Sequence, residues 1–312
     1  MVRGRPRFAV DVGHKEVPVT QLRKRVLEEL KRRNYSQATA TAYIGAIRRF
    51  AEYFHRSPDQ LGSEDIRKYQ LHLLFDRKVH PRTVRLQTSA LRFLFAKVLK
   101  QRYSRDDLPL PRLLRRQIPV VLSPEEVARM IDGTANLRHR TILMTLYSTG
   151  VRCSELCHLR PEDIDKERMV VRIRQGKGGK DREVPLSPKL LEQLRTYYRS
   201  VKRRNGWLFP SLLTRSPDQP ITSKTVWHAC REATQRAGIT KAVHPHTLRH
   251  SFATHLFDNG AELPVIQTLL GHADPRDTMI YLHLATRKLR EAPNPLETIR
   301  LASAPVGEPT ES

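Results

Sequence analysis

Apolar residues recur at helical spacing from residue 20 onward. Leu22, Val26, Leu27 and Leu30 fall on one face, with Lys and Arg residues between them. The same period predicts a second helix over 38–54 with Tyr43, Ile47, Phe50 and Phe54 inward, and a third opening at Ser63 ahead of Ile66, Tyr69 and Leu73. Pro81 suits the first turn of a fourth, which buries Val84, Leu91, Leu94, Phe95 and Val98. Nothing here alternates as a strand does, so an all-α bundle is expected over 16–104.

Residues 100–120 hold three prolines and no sustained period, which predicts a basic linker over 105–119. Ser123, Pro124 and Glu126 then spell a capped helix start. A buried helix over 137–148, built on Ile142, Leu143, Leu146 and Tyr147, ends at Thr149-Gly150. A helical restart over 151–159 puts Arg152 directly after that turn. Residues 169–175 and 182–186 read as strands, and the glycine-rich turn between them carries Lys177 at a hairpin tip. Helices follow over 188–202 and 222–237. The second faces Val226, Trp227, Cys230 and Ala233 inward, is capped near Gly238, and leaves Lys224 and Arg231 on its polar side. A helix over 247–257 sends Leu248, Phe252 and Leu256 into the core and presents Arg249 on its other surface; a short helix can begin within 274–280. The expected organisation is a basic arm (1–15), a helical domain (16–104), the linker, a mixed α/β and mainly helical domain with a small sheet (120–290), and a tail (291–312). That tail is either disordered or docked through Leu296, Ile299 and Leu301, on a neighbouring subunit.

At 312 residues the length agrees with two domains. The charge adds a partner. With 56 Lys plus Arg against 32 Asp plus Glu, the formal net charge is +24, and nucleic acid is the commonest large polyanion to match it. In the helical domain Lys31, Arg32, Arg33, Arg48, Arg49, Arg82 and Arg85 gather near helix ends, where phosphates are within reach. No apolar run is long enough for a membrane span or a secretory leader, so a soluble, cytoplasmic, nucleoid-associated prokaryotic protein without membrane contact is expected. Cys153, Cys157 and Cys230 make no disulfide framework. Cys153, Cys157 and His158 lack the paired spacing of a zinc site and read as structural thiols.

Candidate chemistry collects in the second domain. His246 and Arg249, three apart on a helix, share a face. His272 follows Leu-Leu-Gly, and Tyr281 lies a few residues on. A phenol, with a free pKa of about 10, attacks only where positive charge stabilises its phenolate and the target is activated. Arg152 and Arg249 as two guanidinium forks would orient a phosphodiester and stabilise the charge it gains. Lys177 can protonate a leaving oxygen, while His246 and His272 can hydrogen-bond to phosphate or manage protons near Tyr281. Paired carboxylates of the two-metal type are not evident, so this chemistry need not use a divalent ion or other cofactor.

The pieces TGVRCSEL, GKGGKDREVPL, HPHTLRHSFATHL, LLGH and TMIYLHL occur in that order over about 130 residues. Together they resemble the tyrosine recombinases, the phage-integrase-type site-specific recombinases. The resemblance implies a helical core-binding domain and a catalytic domain forming a C-shaped clamp on DNA. It also implies attack by Tyr281 to give a 3′-phosphotyrosyl link and a four-way junction, without ATP. Arg152 and Arg249 resemble the phosphate clamp, Lys177 the hairpin general acid, and His246 and His272 the activating and hydrogen-bonding histidines. Glu155 resembles the residue bracing the first arginine, and His250 the packing histidine beside the second. Leu282 stands where the family often has threonine. The partners implied are double-stranded DNA carrying recombination sites and a homotetramer on two of them, monomeric or dimeric off DNA, with any accessory protein unidentified. A type IB topoisomerase would use nearly the same residues to relax supercoils, and an inactive DNA-binding module is the remaining alternative.

Overall fold

The computed structural model describes residues 21–101, 108–112, 119–174, 181–201, 206–212, 218–272 and 274–284. The basic arm, most of the linker, the hairpin tip with Lys177, and the tail with Leu296, Ile299 and Leu301 lie outside the described residues. Packing divides the chain into two compact units, 1–116 and 117–312.

The described residues of the first unit form helices joined by turns, with no strand among them: α1 (Gln21–Arg32), α2 (Gln37–Phe54), α3 (Ser63–Leu71) and α4 (Pro81–Phe93). Helices α3 and α4 each run on into a wider turn, closed by bonds from Arg77 N to the His72 carbonyl and from Leu99 N to the Leu94 carbonyl. These turns carry Leu73, Leu94, Phe95 and Val98 into the core beside Phe50, Ile66 and Leu91. The same core reaches into the expected linker, because Leu108 is fully buried. Arg92 donates to the Leu108 carbonyl, Gln70 Nε2 to Pro109 (3.1 Å) and Arg85 Nη1 to Pro111 (3.0 Å), so residues 108–112 are tied to this unit.

The second unit is built on α6 (Leu137–Thr149), which packs against α8 (Pro188–Ser200), α9 (Ser223–Arg236) and α10 (Pro245–Asp258). Helix α5 (Pro124–Asp132) begins with the expected reciprocal cap. Ser123 Oγ accepts from Glu126 N (3.2 Å), and Glu126 Oε2 accepts from Ser123 N (2.7 Å), an arrangement whose loss costs about 1 kcal/mol. Short α7 (Cys153–Cys157) follows α6, and α11 (Leu263–Leu270) follows α10. Among the described residues one antiparallel sheet forms, in the order β1 (Ile164–Asp165), β2 (Val170–Ile173), β3 (Arg182–Pro185). Val171 pairs with Val184 and Ile173 with Arg182, the pair nearest to residues 175–180 in sequence.

Two expectations need correction. Trp227 is 49% exposed, because the buried stripe of α9 runs Val226, Ala229, Cys230, Ala233, and position 227 falls outside it. Arg249 is not on a surface but 4% exposed. Helix α10 packs against α6, α9, α11 and the turn over Met279–His283, and the Arg249 guanidinium bonds to carbonyls at the ends of α6 and α11. Of its expected core residues Leu248 is fully buried, while Phe252 and Leu256 pack half-buried on the cluster around Phe257 and Leu270.

Candidate active site

The site begins at a turn. Gly150 caps α6 with φ +60°, and a Cβ there would overlap the Phe252 ring, so both backbone and space call for glycine. The tight turn restarts the chain as α7 with Arg152 as its N-cap residue. A second left-handed glycine, Gly271 at φ +61°, ends α11. These two turns supply the acceptors that hold both arginines. Arg249 donates from Nη1 to the Gly150 carbonyl (2.6 Å) and from Nη2 to that of Leu270 (2.7 Å). Arg152 Nη2 donates to the next carbonyl, Gly271 (3.0 Å). Two guanidinium groups 97 positions apart are thus anchored on consecutive peptides, within reach of each other's fields. Burial, with Arg152 adding to it, pulls Arg249 down to about 10, which still leaves it charged at neutral pH. Its bonds go to neutral carbonyls rather than to a carboxylate, so the pocket holds buried positive charge that an anion would satisfy.

Glu155 braces Arg152. Its carboxylate accepts from the Arg152 backbone N (2.8 Å) and Nη1 (2.8 Å), and from Arg182 Nη1 (3.0 Å) and Nη2 (2.7 Å). Burial by itself would raise the Glu155 pKa, but the arginine bonds outweigh it and hold it at about 2. Arg182 is a site residue that the sequence pattern did not single out. A charged residue at the mouth of a strand gives little signal, and its meaning appears only once Glu155 is opposite it.

Tyr281 lies on a 3₁₀ turn, Met279–His283, that packs against α10. It is 1% exposed, among Ala253, Phe257, Ile266 and Leu270, with Leu282 half-buried alongside. Its hydroxyl shares a 3.1 Å hydrogen bond with His250 Nδ1. Its ring lies parallel to that of His272, with centroids 6.4 Å apart. Burial, only partly opposed by Arg249, pushes the phenol up to about 12. His272 Nδ1 bonds to Thr278 Oγ1 (2.9 Å), another partner that sequence did not reveal. Burial, then the nearby arginines, brings His272 down to about 4; burial, then His246 and Arg249, does the same to His250. His246 sits at the start of α10 with part of its surface open to solvent, and the loss of solvation on its packed side, then the Arg249 charge, lowers its pKa. The fold therefore gathers Arg152, Arg249, Glu155, His250, His272 and Tyr281, with the phenol turned onto His250.

The expected DNA-facing residues fare differently. Arg32 and Arg33 both pair with Glu29, Arg48 pairs with Glu52, and Arg85 holds Pro111. Arg82 and Lys224 are exposed, and exposed Arg231 lies over the Trp227 ring at 5.9 Å. The cysteines are free, and among the described residues no group of three or more His, Cys, Asp or Glu side chains is arranged to hold a metal. No helix among the described residues is long and apolar enough to cross a membrane.

Comparison with known proteins gives concordant matches. The profile described as "Phage integrase family" matches residues 120–288, and "Phage integrase, N-terminal SAM-like domain" matches 22–105. The Sinorhizobium fredii protein y4qK is 42% identical over 285 residues, covering 91% of each chain. A tyrosine recombinase of Pseudothermotoga lettingae is 34% identical over 276 residues, covering 85% of this chain and 93% of its own. Among solved structures, that of XerA recombinase aligns over 87% of this chain and 97% of its own, at 32% identity and a TM-score of 0.51.

Proposed function

Since the chain belongs to the phage integrase family of tyrosine recombinases, which cleave and rejoin DNA through a phosphotyrosyl intermediate, we propose that its own nucleophile is Tyr281 and that Arg152 and Arg249 clamp the scissile phosphate. The observation that carries this reading is the pair of guanidinium groups on the consecutive carbonyls of Leu270 and Gly271, with a phenol packed close by. Each terminal guanidinium nitrogen has two hydrogens. One hydrogen on each of these nitrogens is directed to protein and the other is left for a phosphate oxygen, so the clamp is oriented before DNA arrives and costs no reorganisation.

As the Tyr281 oxygen attacks phosphorus its proton passes to a neutral imidazole of the site, His246 or His272; the phosphotyrosyl bond forms as the bond to the 5′ oxygen breaks, and that oxygen takes a proton from Lys177 as the general acid. His246 and His272 donate hydrogen bonds to the non-bridging oxygens, and Glu155 keeps Arg152 aimed. A 5′-hydroxyl from a second duplex then reverses the step, exchanging strands through a four-way junction. The bond energy stays in the covalent link, so no ATP enters the scheme, and the two guanidinium groups take the charge-stabilising part that a metal ion plays in other phosphoryl transfers. A homotetramer on two sites is the assembly this exchange requires.

In the free chain the phenol must first leave its pocket. Uncovering a tyrosine ring and breaking one hydrogen bond costs about 3 kcal/mol, which keeps the reactive arrangement roughly a hundredfold less populated than the buried one. DNA contacts that favour the uncovered arrangement would supply the difference, and cleavage is thereby confined to bound sites. The test is covalent capture of DNA from native cells, with sequencing of the trapped site. The captured site should be cleaved by wild-type protein and joined to Tyr281. Tyr281→Phe should bind the same DNA and yield no adduct; an adduct that persists on denaturing gels rejects this nucleophile.

A further inference from the structure

We propose that Arg182 is a positioning residue that keeps the phosphate clamp net positive and correctly aimed, acting through Glu155 and the 269–271 turn. This rests on the reading of Arg152 and Arg249 as that clamp. Arg182 is the first residue of β3, and only 7% of its side chain is exposed. Its fork is bidentate on Glu155, and its Nε donates to the Leu269 carbonyl at 2.8 Å. It also lies so close to Gly271 that a Cβ there would sit 3.1 Å from Arg182 Cδ. One guanidinium therefore touches the carboxylate that aims Arg152. It also fixes the turn whose next two carbonyls, Leu270 and Gly271, hold Arg249 and Arg152.

The charges explain why an arginine is needed. Arg152 and Glu155 by themselves form a neutral pair, and a phosphate approaching Arg152 would also meet the field of the nearby carboxylate. With Arg182 the group carries one net positive charge, and the lone pairs of Glu155 turned toward β3 are filled. The same bidentate geometry stops the carboxylate from rotating toward the phosphate. Position 182 pairs with Ile173 at the end of the described β2–β3 ladder, so strand β3 is fastened to the clamp.

The experiment uses full-length protein and a nicked duplex of the captured site. The scissile linkage is made either as phosphate or as methylphosphonate, in which a methyl group replaces one charged oxygen. A neutral linkage gains less negative charge in the transition state and relies less on the clamp. Arg182→Gln should bind DNA within threefold of wild type, form adduct at least thirtyfold more slowly on phosphate, and come within fivefold of wild type on methylphosphonate. Arg152→Gln, the control, should show the same selective rescue. Arg182→Lys keeps the charge and should stay within tenfold of wild type on phosphate, and it serves if the glutamine variant does not fold. Equal loss on both linkages, or an unchanged rate on phosphate, overturns the proposal. A wild-type protein that gives no Tyr281 adduct on phosphate DNA instead rejects the underlying reading, before any Arg182 variant is compared.

Discussion

A buried phenol whose pKa is pushed up to about 12 is a weak nucleophile while it stays in its pocket bonded to an imidazole. Burial weakens it as a nucleophile, and at the residue scale His250 adds a restraint, since its Nδ1 shares a hydrogen bond with the hydroxyl in a pocket lined by Ala253, Phe257, Ile266, Leu270 and the His272 ring. His250→Leu should leave the ring packed but the hydroxyl without its partner, which raises the population that exposes it. Nitration of Tyr281 by tetranitromethane in DNA-free protein, read by peptide mass, should rise severalfold; an unchanged rate would show that His250 does not restrain it. The same residue predicts a pH response. His250 and His272 are at about 4 in the folded chain and near 6.5 unfolded, so between these values the unfolded state binds more protons. Their destabilising effect is absent above pH 6.5, grows as pH falls through the window, and is complete below about 4. The melting temperature of the wild type should therefore drop from pH 6.5 to 4, less steeply in His250→Leu. Glu155, at about 2 against an ordinary 4.5, adds acid sensitivity only below that ordinary value.

At the scale of elements the two left-handed glycines decide the site, because each turns a helix end so that its carbonyls face an arginine. The Thr-Gly after a buried helix was readable from the sequence, and so was the placing of Arg152 just past it. Gly150→Ala adds a Cβ at positive φ and against Phe252. Strain of about 1–2 kcal/mol and overpacking of about 1–3 kcal/mol should together lower the urea midpoint well beyond the change expected for an exposed substitution. A shift of under half a kcal/mol would mean that the turn relaxes freely. Strands β2 and β3 were legible by alternation and two-residue β1 was not; which side chain faced Glu155 was also hidden, because alternation gives the face of a strand and not what lies across from it.

On the scale of the whole molecule the charge of +24 sets how binding responds to ions. Each neutralised phosphate contributes about 0.9 to the slope of log affinity against log salt, so six contacts would give a slope near −5. A flat response in a gel-shift series would count against extensive backbone contact. Several arginines that the sequence marked for DNA are partly committed elsewhere, to Glu29, Glu52 and Pro111, which reduces their pull on phosphate. Residues 108–112, which read as linker by their prolines, are fastened to the helical unit through Gln70, Arg85 and Arg92.

Spacing along the chain was enough to place most of the helices, the Ser123 cap, the turn at Gly150, the basic charge and the order of the reactive residues, but not α11 or the turn at Gly271. Each feature so placed depends on spacing along the chain or on a sum over it. Only the tertiary structure decided that Arg249 is buried, that Trp227 is not, that Arg182 belongs to the site, and that Tyr281 rests on His250. Those facts depend on which surfaces cover one another and on fields between side chains far apart in sequence, quantities that no local pattern encodes.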